Sequence, residues 1–335
     1  MPPTYRIEPY PLNDIADSVS GAPSAGATIL HSPGRLERLL RAGEFVVTAE
    51  TTPPVSTDPE AVLARARCLE GVADAVNVTD GAGARAHLSS LTTAGILARA
   101  GIEPVLQFTV RDRNRLALQG DLLGAAASGV PNILCLRGDD ASNGDQPETK
   151  MVHDLESREL MALARRLRDD GRLPSGRAID RPPELLIGGA DAPVDPGPDW
   201  RPDSLRAKIA AGADFFQTQF CFDIDMVRRY MARLRDEGVL EGRYFLIGIG
   251  PIASAKSARW MNANLFGVEV PDATLRRLDG ADDQRREGLR ICVELIDQLK
   301  DVPGVSGAHL MGPGIEQAAA EAIAESGILG ERGAS

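Results

Sequence analysis

From residue 45 onward, short and almost wholly apolar runs alternate with longer stretches in which apolar residues recur every three or four positions. The short runs are "FVVTAE", "ADAVNVTD", "EPVLQFTV", "PNILCLRG", "ELLIGGA", "DFFQTQFCF", "RYFLIGIGP" and "GVSGAHLM". Runs of this length and apolarity suit strands buried on both faces, as in a parallel sheet covered by helices. The intervening stretches carry helix signals, such as Ser, Thr, Asp and a first-turn proline at the head of "STDPEAVLARARCLEG" and a closing glycine. Eight strand-helix units close naturally into an α/β fold of the (βα)8 TIM-barrel type; an open doubly wound sheet is the alternative. The pattern places a Pro/Ser/Gly-rich arm and one short helix ("SPGRLERLLRAG") in residues 1–43, the barrel in 44–328 and a disordered tail in 329–335. "TLRRLDGADDQRREGLRICVELIDQLKD" reads as one long helical stretch, and "GGADAPVDPGPDWRPD" after the fifth strand as an unusually long loop, a kind that often carries function.

Composition narrows the partners. A chain of 335 residues with 43% hydrophobic and 25% charged residues has enough apolar surface for a substantial core. A net charge of −11 disfavours nonspecific binding to nucleic acid or anionic lipid, so small molecules are the expected partners, with self-association or a partner subunit left open. No apolar run reaches the roughly 18 residues of a membrane span and no signal-peptide pattern opens the chain, which points to the cytoplasm. Cys68, Cys135, Cys221 and Cys292 lack metal-ligand spacing and read as reduced thiols, so no metal site is expected.

In a barrel of this kind the chemistry sits at the C-terminal strand ends. Those positions hold Glu50, then Thr79 and Asp80, then Gln107, then Arg137, Gly138 and Asp139, with Gln217 and Gln219 on the sixth strand. Glu50 is the one acid in "FVVTAETTPP", where apolar walls are expected to raise its pKa into a general acid's range. A plainer reading has Glu50 neutralised by Arg137 across the mouth. The loops "DGAGARAH" and "GGADAP", the latter containing Gly188 and Ala190 with its flanking residues, offer close backbone approach to an anion. Lys208 adds positive charge there or is solvated. His31, His87, His153 and His309 have no nucleophile motif beside them, and structural or solvent roles are expected.

Taken in order, "TAETTPP", "VNVTDGAG", "ILCLRGD", "LRAKIAAGADFFQTQFCFD" and "GIGPIASAKSARWMNANLFGVEVPD" resemble the methylenetetrahydrofolate reductase family over residues 44 to about 325. The resemblance implies an oxidoreductase interconverting 5,10-methylene- and 5-methyltetrahydrofolate through FAD, with NAD(P)H as hydride donor. It implies catalytic roles for Glu50, which would protonate the folate and open its one-carbon bridge to an iminium, and for Asp139, which would tune flavin and folate from between them. Gln219, with Glu50 and Asp139, would hold the substrate. Thr79, Asp80, Gln107, Arg137, Gly138, Gly188, Ala190 and Lys208 would line the cofactor.

The match is closer on the folate side. Asp80 stands where the family has an aromatic, Gln107 where it has histidine, and Leu310 and Met311 where an aromatic is expected; the strand-five loop lacks the family's tyrosine and histidine. These departures imply weak FAD binding, and leave a deazaflavin or a partner's flavin as alternatives to a resident FAD. A tetrahydrofolate-dependent methyltransferase or demethylase on the same barrel is the alternative activity.

Overall fold

The computed structural model describes residues 30–331; the N-terminal arm up to residue 29 and the last residues of the expected tail, 332–335, lie outside them. All eight expected strands are present: β1 (Val46–Thr51), β2 (Ala75–Val78), β3 (Pro104–Thr109), β4 (Asn132–Leu136), β5 (Leu186–Asp191), β6 (Phe215–Phe220), β7 (Tyr244–Ile249) and β8 (Val305–Leu310). They pair in parallel, in chain order, and β8 closes on β1 to complete the barrel. Among the described residues no helix is long and apolar enough to cross a membrane.

Helix α1 (Arg35–Arg41) precedes the barrel, α2 (Pro59–Ala66) follows β1, and α3 (Ser90–Arg99) and α4 (Arg115–Ala127) follow β2 and β3. After β4, β5 and β6 come α5 (Ser157–Asp169), α6 (Asp203–Ala211) and α7 (Ile224–Asp236). Local chemistry sets many of the helix starts: Asp58, Ser89, Asn114 and Asp223 each accept a backbone N–H of the first turn. After β7 lie α8 (Ala255–Asn264), α9 (Asp272–Asp279) and α10 (Gln284–Lys300), then α11 (Glu316–Glu325) and α12 (Ile328–Glu331) follow β8.

Three expectations are corrected. The long helical stretch is two helices, because Gly280 closes α9 and Asp283 caps α10 through the Arg286 N–H. Residues 328–331 are helical, where a tail was expected from 329. The short N-terminal helix belongs to the barrel body: Leu36 and Leu40 of α1 are buried against Val46, Ala75, Val105, Leu134, Leu186, Phe215 and Leu246 and plug the bottom.

The period-two alternation of β1 explains the interior. Val47 and Ala49 face the helices, while Val46, Thr48 and Glu50 climb the inside. The barrel is thus apolar at its floor, polar at mid-height and ionisable at its mouth. Asn77, Gln217 and His309 join Thr48 at mid-height. Gly188 makes room below the mouth, since a Cβ there would stand 2.4 Å from the Phe215 ring.

Candidate active site

Glu50 is only slightly exposed, with three contacts around its carboxylate. Gln107 Nε2 donates to Oε1 at 2.7 Å, the Gly312 N–H donates to Oε2 at 3.2 Å, and His309 Nε2 lies 3.7 Å from Oε1. Burial pushes the carboxyl pKa up, but His309, Gln107 and Gly312 outweigh it and hold the pKa below the ordinary glutamate value. The expected upward shift is therefore corrected. So is the expected pairing with Arg137, which stands exposed on the rim while Glu50 bonds to β3 and to the end of β8.

Under Glu50 lies a buried polar network that sequence reasoning passed over. Asn77 and Gln217 exchange reciprocal amide bonds of 2.6 and 3.0 Å, and Gln217 Nε2 also donates to Thr48 Oγ1 at 3.0 Å. Thr48 Oγ1 is 2.9 Å from His309 Nδ1. His309 is 2% exposed, bonded on its inner nitrogen, and stands beside the acid. The signal that finds this network is the alternation itself: Thr48, Asn77, Gln217 and His309 occupy inward positions of otherwise apolar strands.

The loops after β2, β3 and β4 are tied together over one side of the mouth. Arg111, buried, donates to the carbonyls of Gly81 and Asp139 and pairs with Asp112. Asp80 accepts from both Nη atoms of Arg113, from the N–H and hydroxyl of Thr109 and from Ser90. Burial raises the Asp80 pKa, but these donors bring it below the usual aspartate value. Asp139 is exposed and accepts the Gly83 N–H at 2.7 Å. Gly138 has φ +91, and a Cβ there would meet Arg111 Cβ at 2.9 Å. Between these loops lies a cleft of about 360 Å³ lined by Asp80, Arg85, His87, Arg111, Arg113 and Gln146.

On the opposite side, Lys208 Nζ donates to the Ala190 carbonyl at 2.5 Å. Burial lowers the Lys208 pKa, with the neighbouring Asp191 carboxylate opposing. Burial raises the Asp191 pKa, against the Tyr230 hydroxyl that donates to it at 2.7 Å. Gln219 stands at the mouth beside a register shift between β6 and β7, its Oε1 taken by the Phe220 N–H.

The residues present do not fit a tightly held flavin dinucleotide. Gly138 and Gly188 are packed by Arg111 and Phe215, so neither is an open cradle, and Gly188 lies below the mouth rather than on it. Lys208 is tethered to Ala190 and Gln107 to Glu50 by one bond each, and Asp80 is paired with Arg113. Thr79 is the exception: its buried Oγ1 has no hydrogen-bond partner and can serve a bound ring.

The sequence model of the family described as methylenetetrahydrofolate reductase matches residues 35–327. Methylenetetrahydrofolate reductase 2 of Schizosaccharomyces pombe is 28% identical over 75% of this chain, which spans only 40% of that protein. The 5,10-methylenetetrahydrofolate reductase of Escherichia coli is 26% identical, with 80% of this chain and 86% of that one covered. Two solved barrels, each 14% identical, share the fold. One is an uncharacterized protein from Clostridium thermocellum that binds two copies of 5-methyl-5,6,7,8-tetrahydrofolic acid, with a TM-score of 0.55 over 88% of this chain and 99% of that one. The other is an F420-dependent secondary alcohol dehydrogenase, with a TM-score of 0.52 over 84% and 99%. With the family match running from α1 through α11, the chain belongs to the methylenetetrahydrofolate reductase family.

Proposed function

We propose that this protein interconverts 5,10-methylene- and 5-methyltetrahydrofolate by hydride transfer. The observation that carries this is Glu50, a carboxyl inside the mouth of an apolar-floored barrel, bonded by Gln107 and Gly312 and faced by His309. A methylene bridge between two nitrogens is a poor hydride acceptor until one nitrogen is protonated and leaves, giving an iminium; an acid beside the carbon supplies that proton. Glu50 is that acid. Asp139 lies at the rim, where negative charge stabilises the developing cation. Gln219 has its amide nitrogen available for the pterin, and Thr79 its unpartnered hydroxyl.

The hydride donor is held loosely, because Lys208, Ala190, Asp80 and Gln107, four of the groups expected to line FAD, are already bonded within the protein. NAD(P)H, a free flavin or a deazaflavin entering the mouth for each turnover suits this arrangement. The test mixes purified protein with methylenetetrahydrofolate and each reduced carrier in turn, anaerobically, and follows methyltetrahydrofolate. A colourless protein that turns over with an added carrier is the expected result. Tight FAD retained through gel filtration would overturn the loose-donor reading. Methyl transfer in the absence of any hydride carrier would replace the reductase with a methyltransferase.

A further inference from the structure

We infer that Gln217 is a positioning residue that fixes the tautomer of His309 and thereby sets which kind of group faces the catalytic acid. The inference rests on the reading of Glu50 as the proton donor, but its first readout does not.

An amide nitrogen only donates, and Gln217 Nε2 gives one hydrogen to Asn77 Oδ1 at 3.0 Å while Asn77 Nδ2 returns a bond of 2.6 Å to Gln217 Oε1. Gln217 Nε2 also lies 3.0 Å from Thr48 Oγ1 and 3.4 Å from His309 Nδ1. Thr48 Oγ1, already accepting from Gln217, stands 2.9 Å from the same Nδ1 with its own hydrogen to give. Both Gln217 amide hydrogens are then engaged, one on Asn77 Oδ1 and one on Thr48 Oγ1, which directs the Thr48 hydroxyl hydrogen to Nδ1, so that Nδ1 presents a lone pair. The imidazole hydrogen is left on Nε2, the atom 3.7 Å from Glu50 Oε1. A contact of that length is one that substrate can tighten.

The consequence is specific to the acid. In the other tautomer a lone pair would face Glu50, repelling its carboxylate and acting as a competing base for the proton that Glu50 must deliver. With Nε2 protonated, His309 instead donates to the carboxylate that remains after the proton has passed to substrate. His309 keeps its own hydrogen throughout, and Glu50 is reprotonated from water. The barrel keeps four polar side chains, Thr48, Asn77, Gln217 and His309, all buried where aliphatic packing would otherwise serve. Holding this orientation is what that arrangement accomplishes.

The test is nitrogen NMR of the ¹⁵N-histidine-labelled full chain, with His309 assigned by its loss in His309→Gln. In the native protein His309 should show a protonated Nε2 and an unprotonated Nδ1. Gln217→Met, which keeps length and removes the donor, should give a mixed tautomer. It should also lower kcat on the order of 10²-fold with KM for the folate little changed, less than the roughly 10⁴-fold a wholly wrong tautomer costs in a serine protease. Where Gln217→Met does not fold, Thr48→Val removes the other donor and carries the same expectation. A native Nδ1–H tautomer overturns the inference, as does a folded variant whose tautomer and kcat are both unchanged. A native Nε2–H tautomer that mixes in the variants, in a protein that reduces no folate, upholds the lock and removes the proposed function instead.

Discussion

Glu50 must carry a proton to act as an acid, yet Gln107, Gly312 and His309 favour its ionised form and outweigh the burial that opposes it. In the free protein the acid form is therefore a minority at neutral pH, and it grows as pH falls toward the depressed pKa. For methylenetetrahydrofolate reduction, log kcat/KM should consequently rise with a slope approaching one per pH unit as pH is lowered from about 8 to 5, over the range normally spanned by carboxyl and imidazole titration. A flat profile would mean that the proton arrives elsewhere. Glu50→Gln should cost roughly 10²-fold or more in turnover while leaving methyltetrahydrofolate affinity, measured by calorimetry, nearly unchanged. Equal losses in both would make Glu50 a binding residue. Glu50 and Gln107 were legible as strand-end residues because inward positions alternate. The direction of the pKa shift was not, because the donors come from positions 107, 309 and 312, which only barrel closure brings to residue 50.

Helix α1 shows the same division at the level of an element. Its amphipathic pattern, Leu36 and Leu40 on one face, was readable; its destination at the barrel floor was not, because the cap that places it is not local. Gly34 offers no capping side chain, and the first-turn N–H groups of Arg35 and Leu36 are taken by the Glu103 carboxylate from the start of β3, which also accepts from Asn132 Nδ2. Glu103→Ala should lose this long-range cap and the bond to Asn132 together, destabilising the fold by about 1–3 kcal/mol, seen as a melting temperature several degrees lower. Leu36→Ala, at a fully buried position, should cost about 2–5 kcal/mol. Both substitutions are at the end of the barrel opposite Glu50, so kcat at 25 °C should survive them. Loss of turnover without loss of stability would show that the floor and the mouth are coupled. The break between α9 and α10 was signalled by Gly280 and Asp283, but helical periodicity on both sides masked it.

Across the whole molecule, acid stability should be set by carboxylates that folding holds ionised. Asp214, at the floor, is pushed upward by burial but held below the usual aspartate value by the His31 bond at 3.0 Å, by Arg168 at 2.8 Å and by the Ile187 N–H. Asp80 at the mouth is depressed by Arg113, and Glu50 by its own donors. The sign follows from linkage. A carboxyl whose folded pKa lies below its unfolded value of about 4 contributes stability that is fully present above that value and is lost as pH falls through the folded pKa. Asp191, raised by burial, runs the other way and offsets part of the loss. Urea unfolding free energies should therefore be nearly level between pH 7 and about 5, then fall steeply below about 4. Asp214→Asn isolates one contributor. It removes one of the two carboxylates that pair with Arg168, Asp169 remaining, and the charged acceptor of the Ile187 N–H, so the variant should be less stable by roughly 1–3 kcal/mol at pH 7. As pH is lowered, native Asp214 takes up a proton and itself becomes neutral, so the gap between the two proteins should narrow from about pH 5 downward. A gap that stays constant across the whole series would show that the Asp214 side chain contributes through packing and neutral hydrogen bonds, and that the acid sensitivity of the barrel arises at its mouth.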